Sequence, residues 1–134
     1  MVNAQPSTIA VIELSAIDNR IKVSLHAKAL TSNLMTQLPN KRILNYRFYV
    51  VERSSVDKII RELGLQTPKE VNACAIEIGK LLGVDKIITG EYAHKTVNIR
   101  LVDVKSEIIE KAITIKGKNS QKTNAKKVVK KLGK

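Results

Sequence analysis

Residues 48–66 read FYVVERSSVDKIIRELGLQ, an apolar strand that runs directly into an amphipathic helix. The strand half is dense in aromatic and β-branched residues, which favour extended structure. Ser54 stands three residues before Asp57, which predicts a helix start with an acidic capping box. Gly64 follows the last apolar position and predicts a left-handed residue that ends the helix. The apolar positions recur at helical spacing, at Val56, Ile59, Ile60 and Leu63.

A second helix signal follows at once. Thr67, Pro68 and Glu70 supply an N-cap, a proline for the first turn and an acid at the third position. Apolar residues then continue at helical spacing until Gly83, which we expect to close the helix. The sequence therefore predicts one continuous helix between Pro68 and Gly83.

Outward from these two helices, the apolar pattern predicts strands. Residues 8–14 form a continuous apolar run, as expected of a central strand that is buried on both faces. The predicted order is β-α-β-α-α-β-β-β-α, an α/β fold with a mixed sheet and helices packed on it. The remaining elements are a helix at about 24–38, strands at 42–52, 86–89 (ending near Gly90), 97–102 and 109–115, and a helix at the C-terminal end.

The chain divides into three parts. Residues 1–7 are a loose lead-in, residues 8–117 are one α/β domain, and residues 118–134 are a Lys-rich amphipathic helix. A chain of 134 residues with 43% apolar residues can fill one hydrophobic core. No apolar run approaches the roughly 20 residues that a membrane-spanning helix needs.

Positive charge is concentrated at the C-terminal end. The formal net charge is +12, and residues 111–134 contain nine lysines and no acid. Such a segment favours anionic partners without specificity. We expect the apolar stripe of its helix to dock on the sheet, with the opposite face as the candidate patch for an anionic partner. This patch comprises Lys122, Lys126, Lys127, Lys130 and Lys131.

The sequence offers no motif for catalysis. It contains no Gly-rich phosphate loop, nucleophile elbow or zinc-binding helix. His26, His94 and Cys74 lack metal-ligand spacing, and the acids Glu13, Asp57, Glu91 and Asp103 have simpler structural roles as loop, cap and strand-end residues. We therefore expect a protein that is not an enzyme, with no catalytic residues, no metal, no cofactor and no small-molecule substrate.

Three ordered motifs resemble the curli secretion component (CsgG) family. They are the residues 48–66 quoted above, the segment AIEIGKLLGVDKIITG at 75–90, and RLVDV at 100–104 with EII at 107–109. The resemblance covers roughly residues 8–115. It also extends to the amino-terminal domain of TolB and to the soluble lipoprotein activators of penicillin-binding proteins, which are closest in size.

The resemblance implies a non-catalytic adaptor that is periplasmic or associated with the outer membrane. Its partner would be an envelope protein or further copies of the chain. The family's pore-forming hairpins have no counterpart here, because every predicted strand is used by the sheet. The motif residues that we expect to hold the fold are Arg53, Asp57, Gly64, Gly83, Gly90 and Asp103.

One alternative stays open. The chain shows no signal sequence or lipobox cysteine, so a cytoplasmic nucleic-acid-binding protein that uses the C-terminal lysines is the second hypothesis. Against it, the segment from Lys111 onward has neither the arginines nor the aromatic residues that nucleic-acid sites commonly use.

Overall fold

The computed structural model describes residues 5–16, 21–40, 42–93, 95–117 and 120–133. Its strands are β1 (Gln5–Val11), β2 (Ser15–Ala16), β3 (Arg42–Ile43), β4 (Tyr46–Val50), β5 (Lys86–Tyr92), β6 (Thr96–Asp103) and β7 (Ile108–Lys116). Its helices are α1 (Ile21–Gln37), α2 (Arg53–Glu62), α3 (Pro68–Ala73), α4 (Ala75–Leu82) and α5 (Gln121–Leu132), with a 3₁₀ turn at Leu38–Asn40.

The sheet is mixed, as the sequence predicts. Its strand order is β3-β4-β1-β5-β6-β7, and β2 extends the pairing beside the end of β5. The strands β4 and β5 both run parallel to β1, whereas β5, β6 and β7 form an antiparallel meander. The parallel pairs require crossover helices, and the meander requires only short turns.

Helices cover both faces of the sheet. The first strand shows why its apolar run is continuous: Ile9 and Val11 join the core under α1 and α5, while Ala10 and Ile12 join the core under α2–α4. Successive side chains of a strand point to opposite faces, so a strand between two helical layers must be apolar throughout. Within the described ranges, none of the helices combines the length and hydropathy that crossing a bilayer needs.

The start of α2 differs from the predicted capping box. The helix begins at Arg53, its N-cap is Glu52, and no side chain caps it. Ser54 is therefore already helical, and Asp57 lies too far into the helix to complete a box. The Glu52 carbonyl instead accepts the first turn's bonds from the backbone N–H groups of Ser55 and Val56. The prediction that Asp57 caps this helix is wrong.

The start of α3 confirms its prediction. Thr67 is the N-cap, and its hydroxyl oxygen accepts a bond of 3.1 Å from the backbone N–H of Glu70. The predicted single helix is interrupted at Cys74, where the backbone leaves helical geometry (φ −105°, ψ 19°) before α4 begins. Gly64 and Gly83 have φ angles of +71° and +70°, as expected for residues that end helices.

Gly90 lies inside β5, not at its end, so the predicted strand end is wrong. A Cβ atom at this position would stand 2.1 Å from the backbone oxygen of Asn98 on β6. The glycine is therefore required for a close approach of two strands, and its φ angle is not positive.

The segment predicted as one strand at 42–52 is a hairpin. It turns at Leu44 and Asn45, whose φ angles of 49° and 69° are those of a two-residue turn of type I′. Leu44 is an unusual residue for this conformation, because a side chain crowds the left-handed region. The strand that remains, β4, keeps the predicted alternation: Phe48 is buried and Tyr49 is exposed.

Candidate functional site

The C-terminal helix α5 carries the predicted positive surface. Its apolar stripe is buried, with Ala125, Val128, Val129 and Leu132 all in the core shared with α1. The opposite side presents Lys122, Lys126, Lys127, Lys130 and Lys131, which we call the lysine face. All are exposed except Lys127, which is half-buried. The docked arrangement expected from the sequence is the one observed.

Polar contacts fix α5 at both ends. The Ser120 hydroxyl accepts a bond from the backbone N–H of Thr123 and caps the helix. The buried Gln121 side chain donates to the hydroxyl of Tyr92 on β5 at 3.0 Å. Near the other end, the Lys131 ammonium donates to the backbone oxygen of Thr114 on β7 at 2.9 Å. The lysine face is thus held in one orientation relative to the sheet.

A second group of charged residues lies on the side of the sheet that α1 covers. Lys86 is 5% exposed, and its ammonium group donates to Asp103 at 2.5 Å and also to Glu110. It also lies 4.6 Å from the centre of the Tyr46 ring, which is a cation–π distance. We call these four residues the Lys86 cluster.

The charged groups of the Lys86 cluster are paired with one another. Burial alone lowers the pKa of Lys86, but hydrogen bonds to Asp103, Glu110 and Tyr46 outweigh it and raise that pKa above its ordinary value. Hydrogen bonds from Lys86 and then Ser106 lower the pKa of Asp103 to about 2. Lys86 is consequently a protonated structural cation, unsuited to act as a base or nucleophile.

Asp103 was predicted to hold the β6–β7 hairpin, and its contacts are of that kind. Besides Lys86, its carboxylate accepts bonds from the backbone N–H and the hydroxyl of Ser106, at 2.9 and 2.6 Å. Arg53 similarly joins separate parts of the fold. Its guanidinium contacts Glu13 after β1 and the hydroxyl of Ser32 on α1, both at 3.1 Å.

The other candidate acids do not converge on one point. Glu13 pairs with Arg53, Asp103 pairs with Lys86, and Glu91 pairs with Arg100 at 2.7 Å. No group of three or more His, Cys, Asp or Glu residues within the described ranges is placed to hold a metal ion.

The cysteine and histidine residues that were considered as metal ligands lie in separate places in the fold. Cys74 is half-buried against the core under α2–α4. The His26 ring packs edge-on to Tyr92, with ring centres 6.1 Å apart. His94, Lys118 and Lys134 lie outside the described residues.

Sequence reasoning missed Lys86, Glu110 and Asn72. Lys86 opens an apolar run, and its partners are 17 and 24 residues away along the chain. Glu110 reaches Lys86 from a bulge in β7, where Leu101 pairs with Lys111 but Val102 pairs with Ile109.

Asn72 on α3 joins three segments. Its amide donates to the backbone oxygens of Glu13 and Pro68, at 2.8 and 2.7 Å, and accepts from the N–H of Gly90 at 3.0 Å. The only local signal for this role was its position on the half-buried side of a well-capped helix.

Known structures share this fold. The LpoB C-terminal domain from Escherichia coli superposes with a TM-score of 0.63 at 18% identity, covering 89% of this chain and 86% of that one. Lipoprotein GNA1162 from Neisseria meningitidis superposes with a TM-score of 0.63 at 14% identity, covering 94% of each chain. A PelC dodecamer from Paraburkholderia phytofirmans gives 0.53 at 11% identity, covering 98% of this chain and 90% of that one.

Sequence comparison identifies the family. No curated protein sequence matches the chain. Residues 5–93 match the family described as the curli production assembly/transport component CsgG. This match spans the fold from β1 through β5 and includes both helix motifs that carry the resemblance. The chain therefore belongs to the CsgG family.

Proposed function

We propose that this protein is a non-catalytic adaptor of the cell envelope, periplasmic or associated with the outer membrane, which binds a protein partner in envelope assembly or secretion. The observation that carries the proposal is the family match over residues 5–93, since that family is described as an assembly and transport component. The fold shared with a Neisseria lipoprotein supports the same setting. The PelC relative is a dodecamer, so further copies of the chain are one form the partner can take.

The geometry adds a reason for a binding role. Within the described residues, three buried or half-buried cations are engaged in ion pairs that hold the fold: Lys86 with two carboxylates, Arg53 with Glu13, and Arg100 with Glu91. The lysine face, in contrast, lies on the outer side of the docked helix, and of its members only Lys131 is described as bonded to the sheet, through the Thr114 oxygen. We assign it to contact with an anionic surface, either an acidic patch on the partner or lipid head groups. No cofactor and no small-molecule substrate enter the proposal.

Charge reversal tests this assignment. Lys126 and Lys130 are exposed and lie one helical turn apart on α5, so Lys126→Glu with Lys130→Glu places negative charge in the middle of the lysine face. The control is Lys58→Glu with Lys69→Glu, which changes the net charge equally on the helices of the other sheet face. Tagged wild-type protein should retain a specific envelope protein that the α5 variant loses and the control keeps. Equal retention by both variants contradicts the assignment.

The lysine face also suggests binding to nucleic acid, and salt dependence distinguishes the two functions. A protein that neutralises phosphates on duplex DNA loses affinity with a log–log salt slope of about −0.9 per phosphate contacted. We expect no sequence-independent binding of a DNA duplex at about 150 mM salt, where the Debye length is only about 8 Å. Submicromolar duplex binding that falls steeply with salt would favour the nucleic-acid function over the adaptor.

A further inference from the structure

One side of the protein is covered by two helices that carry no acidic residue. α1 and α5 pack against each other on the same face of the sheet, where their apolar stripes share one core. Together they contain seven lysines and no acid, whereas α2, α3 and α4 on the other face contain five basic and four acidic residues. The excess positive charge of the helices therefore lies on one side, and it extends beyond the lysine face to α1.

The lysines of α1 lie on the outer side of that helix. Its buried stripe includes Val23, Ala27 and Leu30, which are at most 3% exposed. Lys22 and Lys28 are exposed, and within the described ranges neither forms an ion pair. Because the stripe of α1 faces the sheet, its exposed lysines are on the outside of the helical layer, as the lysine face of α5 is.

An exposed leucine lies between these two lysines. Leu25 is 59% exposed and is two residues from both Val23 and Ala27, so it lies on the opposite side of α1 from the buried stripe. Lys22 and Lys28 are each three residues from it, about one helical turn to either side. A single exposed leucine is ordinary, but a leucine flanked by cations in a layer without acids has the arrangement of an interface, with an apolar centre and a charged rim.

The outer side of α1 and α5 is large enough for a protein interface. We call it the basic surface; it consists of Lys22, Leu25, Lys28 and the lysine face. The two helices have 17 and 12 residues, so they are about 26 and 18 Å long, and each is about 10 Å wide. Their outer side offers about 450 Å² before the relief of the side chains is counted, the same order as the roughly 800 Å² that each partner contributes to a standard interface.

The composition of the basic surface favours a protein partner over a membrane. Helices that lie in a membrane interface commonly present a whole face of large apolar or aromatic residues. Among the described residues of α1 and α5, only Leu25 is a large hydrophobic residue that is exposed. It supplies one point of contact, which suits a recess in a folded protein better than the surface of a bilayer.

A second copy of the chain lacks the complementary charge. The formal net charge of the chain is +12, and the four acids of α2, α3 and α4 are interspersed with five basic residues. Like charges that face each other oppose association. The charge of the basic surface therefore favours a different protein with an acidic surface.

We propose that the basic surface binds one acidic surface of the partner protein, with Leu25 inserted in an apolar recess between the partner's carboxylates. The inference rests on the proposed adaptor function; it selects protein over lipid as the anionic partner and adds α1 to the lysine face. Charge attraction speeds the encounter and rejects cationic surfaces, whereas burial of Leu25 makes a contact that depends on shape.

Cross-linking from the centre of the basic surface tests the proposal. A photoreactive phenylalanine analogue replaces Leu25 in intact cells, and Leu81, which is 55% exposed on α4, is the matched control position. Light should join position 25 to the same envelope protein that the analogue captures from Lys126, and mass spectrometry should place the adduct in a segment rich in Asp and Glu. No adduct from position 25, a different protein, a segment without acids, or equal capture from Leu81 would overturn the proposal.

Binding of the captured protein, once purified, tests the leucine. Leu25→Ser should weaken it at least about 10-fold, and Leu81→Ser should change the affinity by less than about 2-fold. Both leucines are exposed, so both variants should unfold at the same urea concentration as wild type. Equal affinities of Leu25→Ser and wild type would contradict the apolar recess.

The same measurement tests the charge on α1. Lys22→Glu with Lys28→Glu should weaken binding at least about 10-fold at about 100 mM salt, and by a smaller factor as the salt concentration rises. The control is Lys58→Glu with Lys69→Glu, which should change the affinity by less than about 2-fold. Equal effects of the two double variants, or an effect that does not depend on salt, would contradict an acidic partner surface.

Two further measurements detect the other occupants. Vesicles of phosphatidylcholine with about 30% phosphatidylglycerol present an anionic bilayer, and pure phosphatidylcholine vesicles are the neutral control. Co-sedimentation with the anionic vesicles that Leu25→Ser abolishes would show that the surface faces lipid and would overturn the proposal. Concentration-dependent dimers that Leu25→Ser abolishes would show a second copy, which also overturns it.

The outcome is separable from that of the proposed function. An envelope partner that the α5 variant loses, but that Leu25→Ser and the α1 double variant retain, would contradict this inference and support the adaptor. Loss of the same partner by all three, with the controls unaffected, supports both.

Discussion

Replacing Lys86 with methionine should destabilise the protein in a pH-dependent way. The Lys86 side chain is 7% exposed, and its ammonium group is the cation between Asp103 and Glu110, whose side chains are 22% and 24% exposed. Its removal leaves two carboxylates facing each other without a counter-ion. Removing one partner of a buried ion pair costs about 3–5 kcal/mol, and we expect about 3 kcal/mol here because both carboxylates keep some contact with water.

The pKa shifts give the sign of the pH dependence. In the native protein, Asp103 has a pKa lowered from 3.8 to about 2, so its stabilisation is complete above the unfolded value and is lost as the pH falls through about 2. Lys86 has a raised pKa, so its stabilisation is present below 10.5 and is lost as the pH rises through the folded value. Near neutral pH both contributions are complete.

In Lys86→Met we expect the opposite change on the acid side of neutral pH: lowering the pH should stabilise the variant relative to wild type. The two carboxylates then lack their shared counter-ion and repel each other. The variant therefore regains stability relative to wild type as the pH falls from about 7 to about 4.5, because protonation relieves the repulsion. Urea unfolding followed by circular dichroism at both pH values measures the difference in unfolding free energy.

Lys80→Met is the matched control. Lys80 is 55% exposed, and its pairing with Glu107 at 3.5 Å is a surface ion pair worth about 0–1 kcal/mol. A cost for Lys86→Met as small as that of Lys80→Met, or a larger cost that does not shrink at lower pH, would refute the assignment of Lys86 as the central cation of the cluster.

Three further substitutions test other parts of the fold by the same unfolding measurement. Gly90→Ala should cost about 3 kcal/mol, because the new Cβ meets the Asn98 oxygen, whereas Gly83→Ala, which has a positive φ and open space, should cost only about 1 kcal/mol; equal costs would contradict the close-approach explanation. Asn72→Ala should cost about 2 kcal/mol by removing the side chain that joins three segments, and an unchanged midpoint would show those bonds to be dispensable. Leu132→Ala should cost at least about 2 kcal/mol if α5 is docked as observed, and a variant as stable as wild type would mean that the helix detaches.

Local chemistry explains what the sequence predicted well. The Thr67 cap works within one helical turn, because Glu70 is three residues away and its N–H reaches the threonine hydroxyl in any helix that starts there. Gly64 and Gly83 follow apolar stripes, and their left-handed conformation is a consequence of ending a helix. The lysines of α5 face outward because the apolar stripe determines which side of the helix is buried.

Contacts between distant segments explain the failures. Gly90 is the same residue type as Gly83, and only the position of β6 distinguishes a close approach from a turn. Lys86 is buried because two strands further along the chain bring it carboxylates, and one of these depends on a bulge that no local pattern announces. The hairpin before β4 was missed because its turn contains Leu44 and Asn45 without a glycine.

The most direct test of the adaptor proposal is photo-cross-linking in intact cells of the source organism. A photoreactive phenylalanine analogue replaces Lys126 or Lys130 on the lysine face, and Lys58 on α2 is the control position. The proposal predicts that light captures a defined envelope protein from the first two positions and none from the control. Capture of nucleic acid from Lys126, or no protein adduct from either test position, would contradict it.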